Sequence, residues 1–215
     1  MNSELTLEEQ EQIDRLKEFW QRFANLILSA ALVAAIAFAG VQWWKRENLH
    51  KAAEAAGMYA ALQSMQQAGQ TSAVGSLAGT LETRYPDSPY SARAALIAAA
   101  SYDTAGQPPA ARKQLQWIID HSHESALRSI AMLRLAGIDL DAGQPQEAVK
   151  LLDTPHDEAY ADLFSDLKGD ALTRLGQREA ARQAYQIALQ KLPADSPYRQ
   201  VIEIKLNAIA GVAKP

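Results

Sequence analysis

An uninterrupted apolar segment near the start of the chain constrains the fold more than any other feature. Residues 23–44 carry no charged side chain. In a helix, about 20 residues rising ~1.5 Å each cross the ~30 Å hydrocarbon layer of a bilayer. Trp20 precedes the segment, and Trp43 and Trp44 end it, so indole rings would lie near both membrane interfaces. The sequence therefore predicts a tail (1–22), a transmembrane helix in contact with the lipid bilayer (23–44) and a further domain (45–215).

Two alternatives compete with a transmembrane helix. The first is a cleaved secretory signal, because Ala37-Phe38-Ala39 before Gly40 has the small-x-small form of a cleavage site. Residues 1–22 argue against it, since acidic side chains outnumber basic ones there, whereas a signal begins with a basic segment. The second alternative is the core helix of a soluble domain. Residues 24–41 offer no polar face, which disfavours it.

The residues before the apolar segment are predicted to be helical. Thr6 and Glu9 have the spacing of a capping box, in which each side chain satisfies a free backbone amide. An apolar stripe then follows at helical spacing: Ile13, Leu16, Trp20 and Phe23. It is predicted to lie along the membrane surface before the chain turns inward, and a docking helix for a partner is the alternative.

The charges that flank the segment leave its orientation open. Three basic residues lie on each side of it: Arg15, Lys17 and Arg22 before, and Lys45, Arg46 and Lys51 after. Within the segment, Ala31, Ala35 and Ala39 are spaced four apart and would form a smooth face for close packing against another membrane helix.

Composition excludes several classes of function. The net charge of the 215-residue chain is −4, and basic residues do not cluster, so nucleic acid is not an expected partner. The chain has no cysteine, which removes disulfides, thiolate zinc sites and thiol catalysis.

A repeated Gly-Gln pair organises the rest of the chain. It recurs at Gly69, Gly106, Gly143 and Gly176, so the spacings are 37, 37 and 33 residues. A period near 34 residues is typical of stacked helical hairpins, with the glycine at the turn between two helices. A small residue follows each glycine by five positions, where paired helices would cross closely: Val74, Ala111, Ala148 and Ala181. The sequence predicts an all-α solenoid.

The last unit resembles a tetratricopeptide repeat. It places small, aromatic and proline residues at that motif's positions: Gly169, Gly176, Ala181, Tyr185, Ala188 and Pro193. Ser88-Pro89 and Ser196-Pro197 predict helix starts, because each places a capping hydroxyl before a proline. The second start opens a final capping helix whose apolar face is predicted to be Val201, Ile202, Lys205, Leu206 and Ile209. In the first unit, Gly75 and Gly79 would weaken the second helix, so that hairpin is expected to be mobile or short.

The sequence offers no recognisable catalytic, cofactor or metal motif. His121 and His123 are two residues apart, a spacing that would point their rings in different directions on a helix, so an exposed loop is the expected setting. A solenoid instead presents a groove for peptides or partner helices. Repeat spacing predicts that the first helix of each hairpin lines this groove with seven residues: Leu96, Ala100, Asp103, Leu133, Asp166, Asp170 and Thr173.

The whole layout resembles the YfgM-type ancillary subunits of the bacterial SecYEG translocon. The resemblance rests on the tail ending in Phe19-Trp20, on the anchor closing with Trp43-Trp44, and on the segments 133–136, 166–172 and 176–185. It implies an inner-membrane protein with its N-terminus in the cytoplasm and a periplasmic repeat domain.

The resemblance further implies association with the SecYEG translocon and the periplasmic chaperone PpiD. The expected function is a non-enzymatic adaptor that assists exported client chains without a cofactor. The alternative is a periplasmic repeat scaffold for envelope assembly or stress regulation.

Overall fold

The computed structural model describes residues 7–211, with the side chains of residues 11–26 and 28–211. The described residues form nine α-helices and one 3-10 turn, and this part of the chain contains no strand, which confirms the all-α prediction. The capping box at Thr6 lies outside the described residues. The helices are α1 (Leu7–Gln67), α2 (Thr71–Arg84), α3 (Pro89–Thr104), α4 (Pro108–His121), α5 (Ser125–Asp141), α6 (Pro145–Leu152), α7 (Ala161–Arg174), α8 (Arg178–Lys191) and α9 (Tyr198–Ala210), with the 3-10 turn at Glu158–Tyr160.

The chain divides into two compact units between Ala52 and Ala53. The described part of the first unit is entirely α1, which continues without a break from Leu7. The predicted inward turn between the apolar stripe and the apolar segment is therefore absent from these residues, because uninterrupted helical hydrogen bonding leaves no place for it.

The apolar side chains of the first unit are exposed. From Leu28 onward, α1 is long and apolar enough to cross a membrane: it contains an 18-residue window with a mean hydropathy of 1.3, and no residue of that window is buried. Leu26 and Phe38, for example, are 70% and 67% exposed. This exposure contradicts the core-helix alternative, which requires protein atoms around these side chains.

Four helical turns of the second unit end on glycines with positive φ. The φ values of Gly69, Gly106, Gly143 and Gly176 lie between 67° and 73°. At each turn the following glutamine donates its backbone N–H to a carbonyl five residues earlier, and the glycine donates to one three residues earlier, with distances of 2.8–3.1 Å. This is the Schellman arrangement, and it confirms the predicted turns because only glycine adopts that φ without strain.

Each turn connects the two helices of a hairpin. The pairs α3–α4, α5–α6 and α7–α8 pack together, and the end of α1 shares an apolar cluster with α2 and α3. The small residues five positions after the turn glycines are fully buried in these hairpins: Val74, Ala111, Ala148 and Ala181. Their short side chains let the helices approach closely.

The first hairpin is not shortened by its glycines. Helix α2 spans 14 residues, as do α4 and α8. A Cβ on Gly75 would overlap the phenol of Tyr102 from α3, whereas a Cβ on Gly79 would meet no atom within 4 Å. The hairpin was expected to be mobile or short, and it is not short, because the close approach of a tyrosine ring offsets the cost of Gly75 in a helix. Its mobility stays a prediction.

Helix α6 is the short one, with only eight residues. The chain leaves the helix at Asp153 and makes the 3-10 turn before α7. Asp157 holds this segment: Ser125 donates to its Oδ2 at 2.7 Å, its backbone N–H donates to Ser129 Oγ at 2.9 Å, and its Oδ1 accepts from Ala159 N at 3.1 Å. The Ser125 hydroxyl and the Ala159 amide lower the pKa of Asp157.

The last helix caps the hairpins as predicted. Ile202 of α9 is fully buried, and Leu206 and Ile209 pack against the same cluster on α8. Val201 is 42% exposed, so its assignment to the apolar face was wrong; it lies one residue away from the buried position of Ile202. The predicted helix start at Pro89 is confirmed, whereas α9 begins at Tyr198, one residue after Pro197.

Candidate functional site

The first helices of three hairpins, α3, α5 and α7, lie side by side and form one face of the second unit. Two depressions open on this face. One lies between α3 and α5, with a volume of about 320 Å³, and the other lies between α5 and α7, with a volume of about 360 Å³. They share Gly137 and Asp141, so they adjoin each other. We call them together the first-helix groove.

The groove follows a simple register along the repeats. Residues six positions before a turn glycine line it, and so do residues two positions before: Ala100, Gly137, Asp170, Thr104, Asp141 and Arg174. These two positions are four residues apart, so they share one face of each helix. A Cβ on Gly137 would meet no atom within 4 Å, so the floor is open where the two depressions join.

Of the seven residues predicted to line this groove, some line the two depressions and others do not. Ala100 and Asp103 line the depression between α3 and α5, and Asp170 and Thr173 line the one between α5 and α7. Leu96 and Leu133 are partly buried against the apolar clusters beneath. Both lie ten residues before a turn glycine, as does Asp166. That these seven residues contact a partner stays a prediction.

The carboxylate of Asp166 is engaged within the chain. The residue is 4% exposed, and both of its side-chain oxygens accept hydrogen bonds from Lys205 Nζ of α9 at 2.9 Å. Tyr198 donates to its Oδ2 at 2.7 Å. Lys205 also donates to Asp170 Oδ2 at 2.8 Å, and Tyr185 donates to Asp170 Oδ1 at 2.7 Å. These contacts supply the positive charge and the hydrogen bonds that a buried carboxylate requires.

This network leaves the groove less acidic than its aspartates alone would make it. Lys205 neutralises part of the charge at the α7 end. Further along, Asp141 lies 3.7 Å from Arg174 Nη2, and Arg174 also donates to the carbonyl of Leu140. Arg134 and Asp103 are exposed and line the depression between α3 and α5. The groove therefore presents both signs of charge around an uncharged floor, which suits an extended peptide with mixed charges.

The groove residues missed from the sequence include Thr104, Arg134, Gly137, Asp141 and Arg174. The Gly-Gln spacing could have found Gly137, because it corresponds to Ala100 and Asp170 in the neighbouring repeats. The same spacing relates Asp141 to Thr104 and Arg174. Arg134 has no counterpart of this kind among the predicted positions.

The two histidines singled out in the sequence have different neighbours. His121 ends α4, its ring stacks on Trp117 at 4.8 Å, and its Nδ1 lies 3.0 Å from the Trp117 carbonyl. His123 lies in the following loop, with Nε2 3.8 Å from Asp87 Oδ1. Within residues 7–211, no three His, Cys, Asp or Glu side chains are grouped to hold a metal ion.

The repeat-motif residues have structural positions. Gly169 packs directly against the ring of Tyr185, and Ala181 and Ala188 are fully buried. Pro193 follows α8, where its ring prevents further helix. In the first unit, Ala31, Ala35 and Ala39 are all exposed on α1.

Known proteins resemble this chain over nearly its whole length. The sequence profile of the family described as "Tetratricopeptide repeat-like domain" matches residues 17–211. A protein of Neisseria gonorrhoeae named "Ancillary SecYEG translocon subunit" is 28% identical over 94% of this chain and 98% of its own length. Proteins with the same name from Escherichia coli and Haemophilus influenzae are 23% and 25% identical, each over 94% of this chain and over 97% and 98% of their own lengths.

Proposed function

The chain belongs to the tetratricopeptide repeat-like domain family, and on this premise we propose that it is a membrane-anchored, non-enzymatic adaptor of the bacterial Sec translocon. The observation that carries the proposal is the length of the match. Relatives named as ancillary SecYEG translocon subunits align over 94% of this chain and 97–98% of their own lengths. The family profile includes the apolar segment as well as the hairpins.

The two units suit two different tasks. The exposed apolar part of α1 is suited to cross the inner membrane and to contact translocon helices, for which Ala31, Ala35 and Ala39 offer a smooth face. The first-helix groove is suited to hold a segment of a second protein. We assign that second protein to the periplasmic chaperone PpiD, on the resemblance to the YfgM-type subunits, and the adaptor would thereby assist exported chains.

The orientation belongs to the same proposal. The N-terminus would lie in the cytoplasm and the hairpins in the periplasm. A reporter enzyme that is active only in the periplasm, fused after Pro215, is expected to be active. An expressed but silent fusion would reverse the orientation.

Affinity purification of the tagged full-length chain from membranes in mild detergent tests the adaptor function. The translocon subunits and PpiD are both expected to co-purify. Recovery of neither, from intact and membrane-bound protein, would refute the proposal. Recovery of cell-wall or signalling proteins in their place would support the envelope-scaffold alternative.

A matched pair of variants tests the groove in the same purification. Asp103→Arg combined with Asp141→Arg reverses two exposed charges of the groove and is expected to release PpiD while the translocon is retained. Asp120→Arg combined with Glu179→Arg reverses two exposed charges elsewhere and is expected to release neither partner. Equal retention of PpiD by both variants would show that PpiD does not bind in the groove.

A further inference from the structure

A pocket of about 480 Å³ opens between α6 and α8, with α7 as its floor. Its lining is mostly apolar and comes from all three helices: Val149, Leu152, Phe164, Leu172, Ala184 and Ile187. None of these residues lines the first-helix groove. The volume falls within the roughly 300–1,000 Å³ of typical ligand pockets. We call it the α6–α8 pocket.

The short length of α6 leaves this pocket open. The second helices α2, α4 and α8 have 14 residues, but α6 ends after eight. The segment that follows adds Asp153 and His156 to the wall of the pocket and is fixed in that place. The ring of His156 stacks on Phe164 at 3.8 Å, and Asp157 is bonded to Ser125 and Ser129 of α5. Ile187 at the rim therefore remains 46% exposed.

The charges at the pocket are paired with each other. Lys168 donates to Asp153, and these are the acidic and basic residues among the lining side chains. His156 Nδ1 lies 2.9 Å from the carbonyl of Thr154. Because no lining charge is left over for a charged ligand, the occupant that matches this surface is uncharged and apolar.

One polar group at the rim indicates what kind of apolar molecule fits. Gln183 lines the pocket and is exposed, and its side chain forms no hydrogen bond with another described residue. Its side-chain amide carries both a donor and an acceptor, the same pair that a peptide bond presents. A polypeptide can therefore place an apolar side chain in the pocket while its backbone bonds at the rim, which a hydrocarbon chain cannot do.

We propose that the α6–α8 pocket binds a large aliphatic or aromatic side chain of an unfolded, uncharged polypeptide segment. This inference rests on the proposed function, in which the chain assists exported proteins, and it adds that such clients are contacted directly. The contact uses a face of the hairpins other than the first-helix groove.

The test measures peptide binding by the full-length chain in nanodiscs of phosphatidylethanolamine and phosphatidylglycerol. The probe is a short fluorescein-labelled peptide with leucine and phenylalanine in a serine-glycine background, followed by anisotropy. The matched peptide has glutamine in place of leucine and phenylalanine. The affinity for the apolar peptide is expected to be at least about tenfold higher than that for the matched peptide. Burial of one large apolar side chain supplies enough free energy for this ratio. Equal binding of the two peptides would overturn the proposal.

The second test uses a variant in which a large side chain fills the pocket. Ala180→Phe places a ring at the lining, and Ala110→Phe places the same ring at the corresponding position of α4, four residues after its turn glycine; both alanines are partly exposed. The first variant is expected to lose about tenfold in affinity for the apolar peptide and the second less than about twofold. Thermal unfolding measures whether both variants fold, and both are expected to.

Unchanged binding by Ala180→Phe would place the peptide elsewhere and overturn the proposal. Ile187→Gln, which removes apolar surface at an exposed rim position, is expected to weaken binding severalfold without a folding defect. Co-purification of the translocon is expected from all three variants. Loss of peptide binding is thus separable from loss of the adaptor function.

Discussion

At the scale of single residues, close contacts between a glycine and a tyrosine ring set the spacing of neighbouring helices. Gly169 of α7 faces the ring of Tyr185 on α8, and Gly75 of α2 faces the phenol of Tyr102 on α3. Tyr185 is 2% exposed, so its ring has little freedom to move away. These contacts explain why glycine occupies helix interiors, where it otherwise costs about 1 kcal/mol relative to alanine.

Gly169→Ala is expected to destabilise the second unit by about 1–3 kcal/mol. The added Cβ would fall 2.5 Å from Tyr185 Cδ1 and closer still to Cε1, so the buried ring has to shift. Urea unfolding of the full-length chain measures the effect. Gly137→Ala is the matched control, because its Cβ meets no atom within 4 Å. The control is expected to be neutral or up to about 1 kcal/mol more stable, and equal destabilisation by both changes would contradict the account.

The contacts of α8 and α9 with α7 make the free energy of unfolding dependent on pH in the alkaline range. Burial and the hydrogen bond to Asp166 raise the pKa of Tyr198, and burial raises that of Tyr185, to which the hydrogen bond to Asp170 adds. Burial opposes the charged form of Lys205, but its hydrogen bonds to Asp170 and Asp166 outweigh this and raise its pKa. All three groups therefore hold their protons more tightly in the folded state than in the unfolded one.

Groups with raised pKa values stabilise the fold below their unfolded pKa and lose that contribution as pH rises through the folded one. The free energy of unfolding is thus expected to fall as pH increases above about 10, where free tyrosine and lysine titrate. Urea titrations between roughly pH 8 and 11 measure the slope. Tyr198→Phe removes one proton-binding group, so its slope is expected to be shallower. A free energy of unfolding that stays constant or rises over this range would contradict the assignment.

At the scale of elements, sequence reasoning succeeded where a local backbone requirement fixes the residue type. The turns at Gly69, Gly106, Gly143 and Gly176 need a positive φ, which favours glycine strongly enough to be visible in the sequence. The prediction of the groove from the sequence was incomplete. Lys205 bonds Asp166 across 39 residues of sequence, and no local pattern shows such a contact. The end of α6 did carry a signal, since the residue before Pro155 disfavours helix.

The alanine face of α1, formed by Ala31, Ala35 and Ala39, is predicted to contact translocon helices. Leucine at Ala31, Ala35 and Ala39 together is expected to release the translocon subunits, because bulky side chains prevent close helix packing. Leucine at Ala30, Ala34 and Ala37 makes the same chemical change on the other side of the helix and is expected to retain them. Purification in mild detergent compares the two, with membrane fractionation as a check on insertion. If both variants retain the translocon subunits, the segment serves only as an anchor.

In the complete protein, the proposed function places attachment and recognition in separate units. One unit exposes an apolar helical segment, residues 23–44, that has no charged side chain, and the other exposes a groove of mixed charge and an apolar pocket. Neither unit offers a grouping of side chains for metal binding within residues 7–211. This division of surfaces fits a protein that connects partners.

Photo-crosslinking in intact cells tests whether the anchor contacts the translocon and the groove contacts PpiD. A photoreactive amino acid at Ala35 is expected to capture a SecYEG subunit, and one at Asp141 is expected to capture PpiD. Val33 is the matched control in the anchor, since two residues along a helix turn a side chain by about 200°, and it is expected to capture lipid or nothing. Capture of the two partners from Ala35 and Asp141 would establish the adaptor. Failure of every anchor position to capture a translocon subunit, in cells that insert the chain normally, would contradict it.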